Sequence, residues 1–445
     1  MRQDNDMRAL GRLCGALVLS SGALLTQCGP AETAPPGTSA PALRLPADVA
    51  RVMGDNCTSC HASTPRFGAP MALVTYADTQ RAAVTQPTQR VWQLLGSRTH
   101  DARRPMPPSG LLDAPSLGVL DAWVAAGAPP CSGTNCEGPP ITPDPGPVLR
   151  PLPCQATNRF VAHGTAAGSE FHVPTNAGNL NKCFAFRSPF TRPTQATAFG
   201  PVIDDARVLH HLILFSTDTP QRDGEVFDCD GRLPRDARFV TGWAPGGQGS
   251  VLPPDVGMEM PATDGWFILQ IHYWNIAGIA DADDASGIQL CATEELRPHA
   301  AAISTLGSLD IDIPPRSTDH AVTGRCTPTA REPIHILGSG PHMHRLGTSL
   351  RTEVLRGGDA ARMDMLVNVD SFSFDSQTSY PSELVVMPGD VLRTTCRYRN
   401  TTTSRVFFGE RTEDEMCFNF VLAWPAGALS NAAGASGRRC IDRSQ

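Results

Sequence analysis

The pattern of hydrophobic and polar positions divides the chain into a short helical part and a long β-rich part. Residues 151–445 carry short apolar, β-branched runs between Gly, Pro and Asp turns, and no long segment with helical periodicity. The clearest runs are Val208 to Phe215, Trp266 to Tyr273, Ile334 to Leu337 and Val385 to Cys396. This pattern predicts a mainly β protein with two tandem antiparallel, jelly-roll-like β-sandwiches.

Residues 44–130 have a helical pattern instead. Ala47 to Asn56 predicts a helix with Pro46 near its start, and Leu117 to Ala126 predicts an amphipathic helix with Trp123 on its inner side. Residues 131–150 are rich in Pro and predict a semi-rigid linker. A small all-α domain is therefore expected to precede the two β-sandwiches.

Composition narrows the class of protein. The chain has 445 residues, a length typical of about three domains, and 41% hydrophobic with 18% charged residues indicates a globular protein. The net charge of -7 argues against a nucleic-acid partner. The 14 cysteines, spread along the chain, indicate disulfides in an exported protein.

The N-terminus agrees with export. Arg8 and Arg12 precede the apolar run Leu13 to Leu25, which predicts a signal peptide over residues 1–28. The run ends in Leu-Thr-Gln-Cys, which resembles a bacterial lipobox with Cys28 as the lipid-bearing residue. Gln27 departs from the usual Gly or Ala at that place, so ordinary secretion and a buried apolar helix are the alternatives. Residues 29–43 predict a flexible tether, and the expected place is the cell envelope, with membrane contact only through the lipid anchor.

Cys57-Thr58-Ser59-Cys60-His61 is a CxxCH motif, which predicts covalent attachment of a c-type haem. Cys57 and Cys60 would bind the haem, and His61 would ligate the iron. Met106, on a Pro-stiffened loop, is the predicted second axial ligand, with His100 as an alternative and a simple core role for Met106 also open. A thioredoxin-like thiol pair would need a βαβ setting, which the pattern lacks. The motif, the Met-Pro loop and the closing helix resemble the cytochrome c fold.

Two histidine segments lie on the first β-rich half. His210 and His211 are adjacent, so in a regular strand their side chains point to opposite faces. They would share one metal only at a bulge or a strand end. His272 follows Gln270 on an apolar strand, where a lone histidine is more often a hydrogen-bonded core residue.

Two further segments lie on the second half. His342 and His344 are spaced i and i+2, so an extended strand places both imidazoles on one face as a metal-ligand pair. Two solvated surface histidines are the alternative. Met416 offers a thioether at the start of an apolar strand, although alone it would be a core residue.

These segments, in this order, resemble the copper type II ascorbate-dependent monooxygenases, the family of peptidylglycine α-hydroxylating and dopamine β-monooxygenases. The resemblance covers about 290 residues. It implies two copper ions, one held by His210, His211 and His272, and one held by His342, His344 and Met416. The catalytic residues predicted on this basis are His342, His344, Met416 and Gln270. Gln270 is not itself a predicted copper ligand.

The implied chemistry follows from the ligand types. Three imidazoles suit a copper that stores and passes an electron, whereas a soft thioether beside two imidazoles favours the cuprous state that meets O2. The resemblance therefore implies hydroxylation of a C–H bond of a small molecule with O2. Electrons would come from ascorbate or a similar donor, from the fused haem, or from both.

The resemblance also implies a pattern of disulfides. Cys131 and Cys136 are close enough along the chain to form a further disulfide. The family's order pairs Cys154 with Cys291, Cys183 with Cys229, Cys326 with Cys440, and Cys396 with Cys417. Each bridge then stays within one sandwich, which places the sandwiches at residues 151–298 and 299–445.

The chain departs from the family at the substrate. Family members that act on peptidylglycine clamp its carboxylate with an Arg two residues before the His-x-His pair and with Asn and Tyr after the Met. Here these places hold Gly340, Phe418 and Phe420. Because a bidentate clamp is lost, a small, less polar substrate is expected. The rival hypothesis is an exported copper and haem redox module that hydroxylates nothing.

Overall fold

The computed structural model describes residues 43–101, 106–107, 111–131, 136, 149–166, 168–177, 180–229, 232–245, 247–374, 377–409, 414–429 and 440–442. The signal peptide with Cys28, the tether to residue 42, the start of the Met106 loop and most of the linker lie outside them. The described residues belong to one contact-defined unit that begins at Leu43. None of the helices in this described part is long and apolar enough to cross a membrane.

Four helices form the described part of residues 44–130: α1 Ala47–Asn56, α2 Tyr76–Gln80, α3 Val91–Thr99 and α4 Ala114–Ala125. Helix α1 has the bounds predicted from its pattern. Helix α4 begins three residues earlier than expected, because Asp113 caps it by accepting a hydrogen bond from the Ser116 N–H at 2.8 Å. Trp123 lies inside as predicted, buried with Met53 and Leu120 between α1 and α4.

The rest of the described chain is built from strands, numbered along the sequence. The largest sheet has eleven strands: β1 Asn158–Val161, β4 Gln195–Val202, β8 Ser250–Val251, β9 Val256–Glu259, β12 Gly287–Thr293, β13 His299–Ser308, β16 Ile334–His342, β19 Tyr380–Pro381, β20 Val385–Val386, β23 Cys417–Trp424 and β24 Cys440–Asp442. Their main order is β1-β12-β4-β9-β13-β23-β16-β19. Antiparallel pairing prevails, and β13 runs parallel to β9 and β24.

Two smaller sheets cover this large sheet. A five-stranded sheet, in the order β6-β3-β10-β5-β7, comprises β3 Leu180–Arg187, β5 Leu209–Thr217, β6 Val226–Asp228, β7 Arg238–Trp243 and β10 Trp266–Tyr273. A four-stranded sheet, in the order β15-β21-β17-β18, comprises β15 His320–Cys326, β17 Gly347–Leu355, β18 Met363–Val369 and β21 Val391–Tyr398. Two short ribbons pair β2 Phe171–His172 with β11 Asp283–Asp284, and β14 Asp312–Ile313 with β22 Val406–Phe407.

The strand pattern predicted from the sequence is confirmed as mainly β and antiparallel. Strand β10 has the predicted bounds, whereas β16 continues five residues beyond Leu337, so that it ends at His342. The run from Val385 to Cys396 divides into β20 and β21, because the chain turns at Gly389, whose φ of 89° favours glycine.

Separate apolar cores lie between the sheets. Leu212, Leu214 and Leu269 of the five-stranded sheet are fully buried against Phe199 and Leu290 of the eleven-stranded sheet. A second core packs the four-stranded sheet on the other part of the eleven-stranded sheet, through residues that include Leu306, Ile336, Val354, Leu392 and Val421. The described β-rich part therefore consists of two two-layered parts. In the first the five-stranded sheet packs on one half of the eleven-stranded sheet, and in the second the four-stranded sheet packs on the other half. The two parts meet at the middle of β13.

Strand β13 connects the two layered parts. Its first residues, from His299 to Ala301, pair with β9, and the following residues, from Ala302 to Ser308, pair with β23. The expected boundary near residue 298 thus falls where one sheet runs on without interruption.

All five expected disulfides are present: Cys131–Cys136, Cys154–Cys291, Cys183–Cys229, Cys326–Cys440 and Cys396–Cys417. Cys57 and Cys60 of the CxxCH motif lie outside these bridges. The pairing implied by the family resemblance is therefore confirmed.

Candidate metal centres

A β-bulge turns two adjacent histidines to one side. Strand β10 pairs with β5 so that His272 lies opposite His211, and the next pair is Tyr273 with Leu209. His210 is the extra residue between these pairs, and an extra residue rotates the side chains that follow it. The structure thus meets the condition under which His210 and His211 can share one metal.

The three imidazoles of His210, His211 and His272 converge. The Nδ1 atom of His210 lies 3.0 Å from Nδ1 of His211 and 3.1 Å from Nδ1 of His272. Metal–nitrogen bonds to histidine are about 2.0–2.1 Å long, so donors at right angles around one ion lie about 3 Å apart. The spacing of these nitrogens therefore fits a shared metal ion.

Burial favours the neutral form of two of these imidazoles, His211 and His272. It lowers the pKa of His211 well below its ordinary value, and the neighbouring His272 and His210 lower it further. The pKa of His272 is also well below its ordinary value, first because of burial and then because of His210 and Arg345. Neutral imidazole is the form that binds metals. These histidines can therefore bind a metal ion without first losing a proton.

The second donor set lies at the end of β16 and the start of β23. These strands pair with His342 opposite Phe418. His344 follows two residues beyond the end of β16, and Met416 directly precedes β23. The His342 and His344 rings lie 5.3 Å apart between centroids, at an interplanar angle of 89°. The two imidazoles thus lie side by side, as their i and i+2 spacing predicts. The membership of Met416 in this set stays a prediction.

Hydrogen bonds set which nitrogen each of these histidines presents. His342 Nδ1 lies 2.7 Å from Gln377 Oε1, and His344 Nδ1 lies 3.0 Å from the carbonyl oxygen of Asp414. Because carbonyl oxygens only accept, each Nδ1–H donates and each Nε2 is left as a lone-pair donor for a metal. Gln377 Nε2 donates to the Phe374 carbonyl at 3.0 Å, which orients its amide. Burial, reinforced by His344, lowers the pKa of His342 to about 3.

Glu415 ties the two ligand segments together. Its carboxylate accepts backbone N–H groups from His344 at 2.9 Å, Leu346 at 2.6 Å and Met416 at 3.3 Å. Burial raises the pKa of Glu415 to about 8, although the three hydrogen bonds act to lower it. The Tyr398 hydroxyl donates to the Met416 carbonyl at 2.8 Å, so the backbone of the thioether residue is held on two sides.

The two donor sets face each other. The Phe374 ring lies 6.4 Å from the His210 ring and 5.7 Å from the His344 ring. Arg345, directly after His344, places its guanidinium 5.7 Å from the Trp274 ring centroid. His342 and His344 also contribute to the lowered pKa of His211. One interface therefore lies between the three-histidine set and the His342/His344/Met416 set.

The remaining predicted site residue of the β-rich part is Gln270. It lies on β10, half-buried and on the same face as His272, opposite Ile213 of β5 and Cys183 of β3. Its catalytic role stays a prediction.

The haem-motif residues follow the end of α1. His61 Nδ1 lies 2.7 Å from the carbonyl oxygen of Met71. Met106 is half-buried, and its N–H donates to the Arg98 carbonyl at 3.2 Å. His100 Nε2 lies 2.8 Å from Asp121 Oδ1, so a hydrogen bond between exposed side chains already accounts for this histidine.

Gln377, Phe374 and Trp274 belong to the site but were not found from the sequence. Gln377 is 35 residues from His342 along the chain, and no spacing rule relates a loop amide to a distant histidine. The one available signal was for Trp274, which lies two residues after His272, but a lone aromatic residue beside an apolar strand is ordinarily a core residue.

Comparison with known families decides the assignment. Residues 165–280 match the N-terminal domain of the copper type II ascorbate-dependent monooxygenases, and residues 299–439 match the C-terminal domain. Together these matches cover more than half of the chain. The chain belongs to the copper type II ascorbate-dependent monooxygenase family. The three-histidine set lies within the first matched segment, and His342, His344 and Met416 lie within the second.

The chain is similar to several curated proteins of this family. It is 27% identical over 314 residues to DBH-like monooxygenase protein 1 of Mus musculus, covering 64% of this chain and 51% of that protein. It is 30% identical over 245 residues to dopamine beta-hydroxylase of Homo sapiens, covering 50% of this chain and 39% of that protein. The chain thus spans about half the length of the curated relatives it matches, or less.

The three-histidine set predicts a defined loss of copper. Replacing His211 with Ala removes one of three converging donors, so copper bound per chain is expected to fall from two ions to one. The measurement is elemental analysis of purified, copper-loaded protein. His172→Ala is the control, since this exposed histidine pairs with Asp283 away from the site and should leave the copper count unchanged. Equal copper in both variants would contradict the assignment.

Gln377 predicts a change in affinity at the other set. Gln377→Leu removes the acceptor that holds His342 Nδ1–H, so affinity for cuprous ion there should fall about 10–100-fold. A chelator competition titration in a His211→Ala background isolates this set. The control is Gln221→Leu, at a half-buried glutamine whose amide donates to the Thr219 and Pro220 carbonyls. An unchanged affinity in Gln377→Leu would mean that His342 is oriented by packing alone.

Proposed function

We propose that the protein is a copper-dependent monooxygenase that hydroxylates a C–H bond of a small apolar molecule with O2. The observation that carries this proposal is the pair of facing donor sets with different chemistry. One set consists of three converging imidazoles. The other consists of the adjacent His342 and His344 imidazoles, to which the proposal adds the Met416 thioether. Soft thioether ligation favours the cuprous state, and three imidazoles serve both copper oxidation states.

The proposed roles divide between the two sets. His210, His211 and His272 hold one copper, and His342, His344 and Met416 hold the other, where bound copper supplies one-electron redox chemistry and a place for O2. Gln377 and the Asp414 carbonyl keep the His342 and His344 side chains in the tautomer with Nε2 available. The overall reaction converts C–H and O2, with two electrons and two protons, into C–OH and water. Ascorbate or a similar one-electron donor supplies the electrons.

The wall beside His342 supports an apolar substrate. Phe418 and Phe420 alternate along β23 opposite His342 and Gly340, so both lie on the face that carries the His342 side chain. The Phe420 ring lies 5.7 Å from the His342 ring and stacks on Phe239 at 4.7 Å with an interplanar angle of 17°. This wall presents aromatic surface, which favours an uncharged molecule with apolar bulk.

Asn419 does not replace the lost carboxylate clamp. It lies on the opposite face of the strand from Phe418, and its Oδ1 accepts from Ser339 at 2.7 Å. Its Nδ2 donates to Thr352 at 3.0 Å inside the second core. Gly340, which faces Phe420 across the strands, offers no side chain at all. These contacts support the expectation that peptidylglycine is not the substrate.

We further propose that the CxxCH segment carries a covalent haem that feeds electrons to copper. His61 fits, because its Nδ1–H donates to the Met71 carbonyl and Nε2 is left for iron. Arg66 Nη1 is buried and has no hydrogen-bond partner among the described residues, as expected if it pairs with a haem propionate. Burial raises the pKa of Cys57 to about 12, which disfavours the rival thiol-redox role because that role needs a thiolate.

Five disulfides are typical of proteins in oxidising compartments. We therefore propose that the protein acts outside the cytoplasm. Lipid anchoring at Cys28 in a cell envelope remains part of this proposal, on the strength of the lipobox-like sequence alone.

Hydroxylation is tested with ethylbenzene, a neutral probe with a benzylic C–H bond. Copper-loaded protein with ascorbate and labelled O2 should form 1-phenylethanol that carries one labelled oxygen. Met416→Leu keeps the side-chain volume but removes the sulfur, so its rate should fall by about a hundredfold or more, beyond the 10–100-fold typical of altering a ligand's partner. Met387→Leu, at a half-exposed methionine, is the matched control and should keep the wild-type rate.

Two outcomes would overturn the proposal in different ways. Hydroxylation of a glycine-extended peptide at a rate typical of enzymes would remove the apolar-substrate assignment. Full copper loading without copper-dependent O2 consumption would favour the rival metal-binding redox module.

Haem attachment is tested by spectroscopy of periplasmically expressed protein. The wild type should give a pyridine haemochrome spectrum of about one covalent haem per chain. The double variant Cys57→Ala, Cys60→Ala should lose it while keeping two copper ions. The double variant Cys131→Ala, Cys136→Ala removes a nearby disulfide and should keep the haem. Covalent haem in the first double variant, or none in the wild type, would contradict the assignment.

A further inference from the structure

A tight turn extends from the CxxCH segment toward the three-histidine set. The turn comprises Arg66 to Ala69, and the Arg66 N–H donates to the Cys60 carbonyl at 2.8 Å. The Ala69 N–H donates to the Arg66 carbonyl at 2.9 Å, which closes the turn. The turn is thus fastened directly to the residue before His61.

This turn contacts the strands that carry the three histidines. The Phe67 N–H donates to the carbonyl of Ala206, at 2.5 Å, in the turn that leads into β5. The Phe67 ring lies 5.7 Å from the Trp243 ring and packs on the first β core. The helical part is therefore docked beside the start of the strand that bears His210 and His211.

The closest approach is between Gly68 and Trp274. A Cβ atom at Gly68 would lie 2.7 Å from Trp274 Cδ1 and 2.9 Å from Trp274 Cγ. Carbon atoms that are not bonded pack at about 3.5–4.0 Å, so only glycine permits this contact. The backbone of the turn therefore lies directly against the indole.

Trp274 also contacts the histidines. Its ring lies 6.1 Å from the His210 ring and 6.0 Å from the His272 ring. The backbone N–H of Trp274 donates to the Val208 carbonyl at 2.8 Å. This hydrogen bond fixes the Trp274 backbone beside the start of β5. One indole thus contacts the CxxCH side of the molecule through Gly68 and two of the three converging imidazoles through its ring.

We propose that the Arg66 to Ala69 turn and Trp274 form the electron entry to the three-histidine copper. In this step one electron leaves ferrous haem, which becomes ferric, and reduces the cupric ion at His210, His211 and His272 to cuprous. No bond forms or breaks, and a one-electron donor such as ascorbate restores the ferrous haem. The inference rests on the proposed haem and copper, and it adds the acceptor site and the route.

The contacts favour this acceptor over the other donor set. Electron tunnelling slows steeply with distance, so a route through atoms in van der Waals contact is favoured. Gly68 reaches the three-histidine set through a single side chain. The path to the His342/His344/Met416 set adds Arg345, whose guanidinium is 5.7 Å from the Trp274 ring centroid.

The test uses the full chain loaded with haem and copper, oxidised and kept without O2. A laser flash with a deazaflavin photoreductant reduces the haem, and its reoxidation is followed by absorbance. In the wild type reoxidation should proceed at a rate independent of protein concentration. Gly68→Ala should slow it severalfold, since the new Cβ, 2.7 Å from Trp274 Cδ1, would push the turn and the indole apart toward the distance of about 3.5–4.0 Å at which carbon atoms pack.

Gly127→Ala is the matched control. Gly68 has a φ of 75° and Gly127 a φ of 82°, so alanine brings similar backbone strain at both. A Cβ at Gly127 has nothing within 4 Å. Reoxidation in Gly127→Ala should remain at the wild-type rate. If Gly68→Ala and Gly127→Ala behave alike, the route through this contact is wrong.

Two further variants separate the causes. His211→Ala removes the acceptor, so flash-reduced haem should stay ferrous; fast reoxidation there would overturn the choice of acceptor. Trp274→Leu removes the indole and should slow reoxidation like Gly68→Ala, which keeps the test valid if Gly68→Ala does not fold. Copper content and the haem spectrum establish folding in each case. Absence of haem or copper in the wild type would contradict the proposed function, whereas an unaltered rate in both loaded variants would contradict only the route.

Discussion

The β-bulge at His210 is the local constraint on which the arrangement of the site depends. In an uninterrupted antiparallel ladder His210 would point away from His211 and His272. The extra residue brings all three Nδ1 atoms together. The same displacement places the His210 ring between Trp274 and Phe374. Contact with the helical side and contact with the second donor set therefore both follow from one irregularity in hydrogen bonding.

Much of this arrangement could be predicted from the sequence, and the exceptions have a common cause. The i and i+2 spacing of His342 and His344 fixes their shared face, and strand β10 is evident from its apolar run. From the sequence, a bulge was only what His210 and His211 would need in order to share a metal. Its presence could not be predicted, because the strand register depends on a partner strand about 60 residues away. Gln377 was missed for the same reason: its contact depends on tertiary packing, not on local spacing.

Burial has two effects at the second donor set. It lowers the pKa of His342, so the imidazole can bind a metal without first losing a proton. It also brings the apolar side chains of Phe418 and Phe420 against the same histidine. Glu415 is buried there too, yet its carboxylate accepts three backbone N–H groups. Its hydrogen bonds hold the His344 and Met416 segments in register, so the apolar surroundings do not leave the ligand backbone loose.

Strand β13 has a consequence for how such a protein can change over time. Because its backbone pairs with β9 at one end and with β23 at the other, the relative placement of the two layered parts is set in large measure by main-chain hydrogen bonds. Side chains at the interface, such as Phe239, Phe374 and Phe420, are correspondingly less needed for that placement. Substitutions at these positions can therefore change the lining between the two donor sets without rebuilding the scaffold.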